Sequence, residues 1–511
     1  MTSPTHGDPV VSLAPMDAHN RRLLAEVHPQ DWVNPPPRGR YHLVVIGAGT
    51  AGLVAAAGAA GLGARVALIE RSLMGGDCLN VGCVPSKALI AAARVWATAR
   101  SAAADFHGPA ATGPGDFAAV MERMRRLRAD LSPIDGAARF RDLGVDVFLG
   151  SGRFTGRNSI AVGGSTLHFR RAVIATGARA AAPPIPGLDD VPYLTNESLF
   201  SLTTLPTRLL IIGGGPLGCE MAQCFARFGS EVTLMDRGAQ VLPREDADAS
   251  RIIHDALERD GVRVLLGAEI TRVERRSAEI VISLSSPHGE EDIVGDAVLV
   301  ATGRAPNVEG LALDVGGVAA TEAGITVDDR FRTTNRRVFA AGDVCSALQF
   351  THAADFQARA VIQNALFFGR SRRTHLIVPW ATYTSPEVAH VGHTEASAID
   401  AGLKVQTIDI PLHDVDRARL DGQTDGFARV HVRAGHDTIL GATIVAERAG
   451  DLIAEVTLAM TNGLGLAAIG RTMHPYPTQG DVLRKAADAW RRQKLTPFVR
   501  AAFRLWFTLF K

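Results

Sequence analysis

Cysteine is scarce in this chain: five residues among 511, too few for a secreted scaffold held by disulfides. An excess of either charge is missing too. The 54 Lys and Arg stand against 53 Asp and Glu, so nothing global draws the protein to nucleic acid or anionic lipid. The longest apolar run, Leu53 to Ala64, is glycine-rich and well short of the ~20 residues that span a bilayer. No basic patch followed by an apolar stretch opens the chain, so no secretory signal is expected and the cytoplasm is the expected compartment. What is present is ample: 46% hydrophobic and 21% charged residues, over a length that suits roughly three or four packed units. That composition excludes both a single small binding module and a predominantly disordered chain.

Residues 1–38 are Pro-rich and unpatterned apart from Ala18 to Val27, an amphipathic stretch that predicts one short helix packed on the body. At Tyr41 the pattern changes to a short apolar run of strand type, then Gly47-Ala-Gly49-Thr-Ala-Gly52, then a small-residue helical stretch. The same design recurs 166 residues later, where RLLII runs into Gly213-Gly-Gly215-Pro-Leu-Gly218 and another helical stretch. Two further apolar strands, ending in Thr176-Gly177 and in Gly303-Arg304, look like strands that return to each sheet. From about Pro379, alternating strand-like runs precede helical ones, which suggests an antiparallel sheet with helices.

A glycine fingerprint between strand and helix has a mechanical reason. The first glycine makes the turn, the second lets backbone approach a pyrophosphate, and the third lets the helix pack on the strand, while the helix N-terminus attracts the phosphate. In the first unit Glu70 ends the next strand, 18 residues after Gly52, where a carboxylate can hold ribose hydroxyls. In the second unit the corresponding strand ends in Asp236-Arg237. An acid there favours NADH, whereas an adjacent arginine can accept the 2′-phosphate of NADPH; the strand-end carboxylate tips the expectation toward NADH.

Cys78 and Cys83 sit in Gly75-Gly-Asp-Cys-Leu-Asn-Val-Gly-Cys-Val-Pro-Ser-Lys87, ahead of good helix material. Residues five apart on a straight helix are ~7.5 Å apart along the axis and ~140° around it, beyond comfortable disulfide bridging. The segment is therefore expected to be distorted, with Gly82 and Pro85 among the residues that permit it, and a thiolate at the helix start is expected to be stabilised.

This run resembles the redox-active segment of the class I pyridine nucleotide–disulfide oxidoreductases, which include lipoamide dehydrogenases, glutathione reductases and mercuric reductases. The resemblance extends over about residues 41 to 490. It implies an α/β fold with two Rossmann-like dinucleotide-binding domains, for FAD and NAD(P), and a C-terminal α+β dimerisation domain. The implied division is an N-terminal arm 1–38, an FAD-binding domain 39–185 and 306–377, an NAD(P)-binding domain 186–305, and an interface domain 378–511. It further implies FAD held by Gly47, Gly49, Gly52, Glu70, Gly342 and Asp343, with Asp343 on the ribityl chain. Cys78 would be the interchange thiol, Cys83 the thiol beside the flavin, and Lys87 would lie near the flavin, paired with Glu220. Thr176, Gly177, Gly213, Gly215, Gly218, Asp236, Arg237, Gly303 and Arg304 complete the expected cofactor contacts.

Members that reduce disulfides end in His-Pro-Thr-x-x-Glu, whose histidine serves the partner subunit's thiol. Here the run reads His474-Pro-Tyr476-Pro-Thr-Gln-Gly-Asp481, which puts Tyr476 at the histidine position and Asp481 at the glutamate position. Histidine shuttles protons near neutrality and tyrosine does not, so ordinary lipoamide or glutathione chemistry is in doubt. A tyrosine there resembles mercuric reductases, and paired thiolates suit soft cations. The expectation is a homodimer whose sites combine Cys78 and Cys83 of one chain with His474, Tyr476 and Asp481 of the other, passing electrons to a thiol-binding metal ion. The alternatives are a small or protein disulfide, as in dihydrolipoamide dehydrogenase, and a quinone- or oxygen-reducing diaphorase. No structural metal is expected, Cys78 and Cys83 being at most ligands of a substrate metal. The chain has no N-terminal Cys-x-x-Cys and no vicinal cysteines in its tail to deliver such an ion. Cys219, Cys224 and Cys345 are expected to be packing residues. The tail 500–511 suggests an amphipathic helix that rests on a membrane surface or on the protein's own dimer, packing being favoured.

Overall fold

The computed structural model describes residue 11 and residues 13–111, 113, 115–287 and 289–510. The first ten residues and Ser12 of the arm, and Lys511 of the tail, lie outside the described residues. Helix α1 (Ala18–Val27) begins at Asp17, whose carboxylate accepts from the Asn20 amide at 2.8 Å and so satisfies one of the donors a helix start leaves free. Leu23 and Val27 are buried in the core that backs the first sheet, so the arm packs on the body.

The first apolar run forms the strand Arg40–Ile46, parallel to Val66–Glu70 on one side and Ser165–Ile174 on the other. Both faces of this sheet are covered, by helices on one side and by Phe154, Phe169 and their neighbours on the other. That is why the strand reads as a continuous apolar run and not as an alternation. Asp146–Leu149 extends one edge, Ser159–Val162 and Arg153–Gly156 extend the other, and Val338–Ala340 joins beside Ser165–Ile174. Helix α2 (Thr50–Gly61) follows the first strand.

The cysteine segment is two helices, α3 (Gly76–Asn80) and α4 (Cys83–Phe106), broken at Val81 and Gly82. A Cβ on Gly82 would lie 2.8 Å from the Asp77 carbonyl oxygen, so the break requires glycine. Helix α5 (Phe117–Leu131) lies along α4 and carries the buried Arg128. The Arg128 guanidinium donates to the Asn80 carbonyl and to Asn20 Oδ1, each at 2.6 Å, tying the arm to the end of α3. Among the described residues, Gly76–Phe106 is the one stretch long and apolar enough to cross a membrane, and half of its apolar window is buried, as in the core helix of a folded domain.

The second unit is a parallel sheet in the order Arg263–Leu266, Glu231–Asp236, Arg208–Ile212, Ala297–Val300, with an antiparallel meander of three strands beside it. Helix α6 (Pro216–Phe228) packs against α4 through Trp96 and Phe228, whose rings meet edge to face at 5.0 Å. The chain returns through Arg304–Pro306, antiparallel to Ala178–Ala180, so the expected boundary after residue 305 falls inside a strand. Helix α7 (Thr351–Leu366) then packs against α2.

The last sheet is antiparallel throughout, in the order Trp380–Thr382, Glu387–Gly392, Ile439–Ala446, Phe427–Arg433, Val405–Pro411. Helices α8 (Ala449–Thr461) and α9 (Asp481–Gln493) bury Ile453, Val456, Leu483 and Trp490 against it. The fold is thus α/β with an added α+β unit. The tail forms helix α10 (Pro497–Leu509), three residues earlier than expected because Thr496 caps it, accepting from the Val499 amide. None of its residues is buried within the protomer.

Candidate functional site

The two glycine turns are built alike. Gly47 and Gly213 have φ of +100° and +113°, and a Cβ on either would strike a carbonyl oxygen of the returning strand, Ala175 at 2.4 Å and Ala301 at 2.6 Å. A Cβ on Gly52 or Gly218 would lie 1.8 or 1.9 Å from the carbonyl oxygen of the first glycine, so helix and strand can close only without side chains. Gly49 and Gly215 cap α2 and α6 with no side-chain hydrogen bond, leaving the helix-start N–H groups available. A Cβ on Gly215 would meet nothing within 4 Å. These two cradles fit the pyrophosphates of two dinucleotides.

The strand-end acids repeat the parallel. Glu70 accepts from the Ala48 amide at 2.6 Å and the Ser72 amide at 2.8 Å, and burial still pushes its carboxyl up. Asp236 accepts from the Gly214 amide at 2.5 Å and the Gly238 amide at 2.6 Å, while Arg237 is exposed beside it. Thr176 donates to the Asn307 carbonyl at 2.7 Å, and Gly177 and Gly303 take φ of +68° and +153° at the crossover. Gly342, at φ +81°, donates to Gln357 at 2.8 Å. Asp343 is pushed up to about 6, by burial against the pull of Arg304.

Cys78 and Cys83 meet as free thiols across the break between α3 and α4, with Cys78 hydrogen-bonded to Cys83. That bond, the Thr351 hydroxyl 3.2 Å from Cys83 Sγ, and the Lys87 ammonium hold the Cys83 thiol at about 6, against the opposing effect of burial. Cys78 moves up, as the proton donor of the pair and through its own burial. The result is a polarised dithiol, with negative charge favoured at Cys83 and the proton at Cys78.

Lys87, one turn into α4, donates to Glu220 of α6 at 2.9 Å and lies 4.5 Å over the Tyr383 ring. Burial opposes the Lys87 charge, yet the Glu220 carboxylate prevails and the Lys87 pKa is raised. The second Glu220 oxygen accepts from the Tyr383 amide at 2.9 Å, so this ion pair joins the cysteine helix, the second glycine unit and the last sheet. Arg304 spans Asp77, to which it donates, and Asp343 at 3.7 Å. It thus braces the residue before Cys78 against the Gly342-Asp343 turn.

In the C-terminal run, Tyr476 is 76% exposed and its hydroxyl donates to Asp416 at 3.1 Å, which raises its pKa. His474 is nearly buried, with Nδ1 3.1 Å from the Thr472 carbonyl and Nε2 3.0 Å from Glu455 of α8. Both ring nitrogens therefore face acceptors. Asp481, at the start of α9, accepts from Arg484 at 2.6 Å, so the carboxylate partner of His474 is Glu455 and not Asp481. No hydrogen bond or ion pair among the described residues joins this run to Cys78 or Cys83 of the same chain.

Thr351, Tyr383, Asp416 and Glu455 carry no motif, and each of them, like Asp77 within the cysteine run, reaches its partner only through the fold. Cys219 and Cys224 are buried, with thiols pushed up by burial, as packing residues are; Cys345 is partly buried and likewise pushed up, to about 12. Among the described residues no group of three or more His, Cys, Asp or Glu is placed to hold a metal ion.

Comparison with known proteins places the chain among relatives. Residues 41–358 match the family described as pyridine nucleotide-disulphide oxidoreductase, and residues 378–487 match the dimerisation domain of that family. A mercuric reductase of Streptomyces lividans is 37% identical over 461 residues, 88% of this chain and 96% of that one. A dihydrolipoyl dehydrogenase of Thermus scotoductus is 35% identical over 467 residues, 89% of this chain and 98% of that one. A solved Cu(II) complex of the HOCl-induced flavoprotein disulfide reductase RclA from Escherichia coli superimposes with a TM-score of 0.79 at 30% identity, over 88% of this chain and 100% of that one.

Proposed function

The chain belongs to the pyridine nucleotide-disulphide oxidoreductases, enzymes that couple a flavin to a pyridine nucleotide, and from that premise we propose that it carries electrons from NADH to a soft, thiol-binding metal ion, Hg²⁺ first. The observation that carries this reading is the polarised pair Cys78 and Cys83 beside the Lys87–Glu220 ion pair. Two adjacent sulfurs, one anionic, are a ligand set for a soft cation. Tyr476 stands where members that reduce disulfides carry a histidine, and the similar Escherichia coli flavoprotein disulfide reductase is known as a Cu(II) complex, which favours a metal ion as acceptor.

Bound FAD would supply the two-electron relay between nicotinamide and sulfur. The residues of the chain divide the remaining work. Gly47, Gly49, Gly52, Glu70, Gly342 and Asp343 hold the flavin dinucleotide, while Gly213, Gly215, Gly218 and Asp236 hold NADH. Asp236 favours NADH because its carboxylate would repel a 2′-phosphate. Lys87 stabilises negative charge beside Cys83, and Glu220 fixes the lysine in place. Cys78 and Cys83 take Hg²⁺ and give it two electrons: the S–S bond forms, the Cys78 proton leaves, and Hg⁰ departs. The overall balance is Hg²⁺ + NADH → Hg⁰ + NAD⁺ + H⁺.

The match to the dimerisation domain supports a homodimer, in which Tyr476 and His474 of one chain complete the site of the other. The sparse cysteines suit a reducing, cytoplasmic setting. A second reading, with a small or protein disulfide as acceptor, is favoured by the His474–Glu455 pair, two residues from Tyr476 and of the type that serves as acid and base. The test is to reduce the purified yellow protein anaerobically with NADH and challenge it with Hg²⁺, lipoamide, glutathione disulfide and quinones. Hg²⁺-dependent turnover that disappears in Cys78→Ser supports the metal reading. Lipoamide or glutathione turnover without Hg²⁺ turnover supports the second, and full quinone turnover in Cys78→Ser overturns both.

A further inference from the structure

Helix α10 stands apart from its own chain. Phe498 is 82% exposed, and Phe503, Leu505, Trp506, Phe507 and Leu509 are each more than half exposed. At about 100° per residue these side chains cover an arc of roughly 200°, and Arg500, Arg504 and Thr508 stack at four-residue intervals on the remaining face. The surrounding charge is one-sided. From residue 489 to the end there are six Lys and Arg and no Asp or Glu, so the first 488 residues hold five more acidic than basic residues and the positive excess lies wholly in this tail.

We propose that α10 docks the protein on an anionic membrane surface, lying in the plane of the headgroups with its aromatic face among the acyl chains. Two features separate this occupant from a second copy of the chain. A helix that packs on a neighbouring helix or sheet needs an apolar stripe of about 100°, and such a contact would leave half of this arc in water. A lipid interface covers the whole of it. The cationic stripe also complements phosphate-bearing headgroups, and the aromatic pair of Trp506 on this helix and Phe510 at its end, with ring centres 4.1 Å apart, is of the kind that seats at the interface. Thirteen residues give a length of about 20 Å, against ~30 Å of hydrocarbon, so the helix lies on the bilayer and does not cross it.

The test is cosedimentation of the full-length holoprotein with vesicles of pure phosphatidylcholine and of an equimolar mixture with phosphatidylglycerol. Binding is expected to the mixed vesicles and far less to the neutral ones, with release at about 1 M salt. Arg500→Gln with Arg504→Gln should weaken binding about thirty-fold. Trp506→Glu, or deletion of residues 496–511, should abolish it. Flavin content and NADH oxidation with an artificial acceptor should stay unchanged in all three. The proposal is overturned if the full-length protein ignores the mixed vesicles or binds equally well without the tail. It is also overturned if the deletion turns a dimer into a monomer, which would assign the apolar face to a second copy.

Discussion

Thr351 offers a sharp test of how the thiol pair is polarised. Thr351→Val removes the hydroxyl 3.2 Å from Cys83 Sγ while keeping the branched shape of the side chain. A hydrogen bond to a charged group contributes roughly 1.5–3 kcal/mol, and 1.36 kcal/mol corresponds to about one pKa unit. Although the surrounding protein desolvates its sulfur, Cys83 keeps solvent access in the protomer, so screening places the expected effect at the low end, about one unit. The direction follows from the depressed value: the thiolate is present above about 6 and is lost as pH falls through it. In the variant the loss should begin about one unit higher, and the thiolate fraction at pH 7 should drop from about nine-tenths to about half. The assay is the pH dependence of alkylation of the reduced protein by iodoacetamide, read at Cys83 by site-resolved mass spectrometry. Thr351→Ser should keep the parent midpoint. A Val variant that titrates with the parent, or a parent that titrates near 9, would refute the reasoning.

Other residues make distinct predictions. Glu220→Leu leaves the Lys87 ammonium unpaired; with Lys87 more than a third exposed, the loss is expected at about 2 kcal/mol, read as a lower urea midpoint, with Glu220→Gln milder. Because the Glu220 carboxylate opposes the Cys83 thiolate, the same change should lower the Cys83 midpoint, opposite in sign to Thr351→Val. Gly52→Ala should yield protein without bound flavin, whereas Gly218→Ala should stay yellow and raise the KM for NADH by about tenfold or more, since each Cβ meets a carbonyl oxygen within 2 Å. The wild-type protein should prefer NADH to NADPH in kcat/KM, and Asp236→Ala should cut that preference by about tenfold, checked by parallel steady-state kinetics.

Much of this architecture was legible in the residues because it depends on local chemistry. The glycine turns announce themselves by spacing, since only glycine fits where Gly52 and Gly218 press on a carbonyl. The five-residue spacing of Cys78 and Cys83 demanded a broken helix, and the break falls at Val81 and Gly82. The partners that tune the site were not legible. Thr351 reaches Cys83 across 268 positions and Tyr383 reaches Glu220 across 163, contacts that exist only after the sheets assemble. The carboxylate beside His474 was not legible either: Glu455 of α8 takes that place, while Asp481, aligned with the family's glutamate, accepts from Arg484. Arg304 looked like the end of a nucleotide-unit strand, but the antiparallel crossover with Ala178–Ala180 carries it to Asp77.

The central claim, that electrons leave through a sulfur pair that opens and closes, is tested most directly by counting reducing equivalents. Anaerobic titration of the air-oxidised, flavin-replete protein with dithionite should consume two electron pairs per chain, one for the flavin and one for the Cys78–Cys83 bridge, and Cys83→Ser should consume one. If the wild-type protein and the Cys83→Ser variant both take up a single pair, the thiols do not cycle and the account is contradicted.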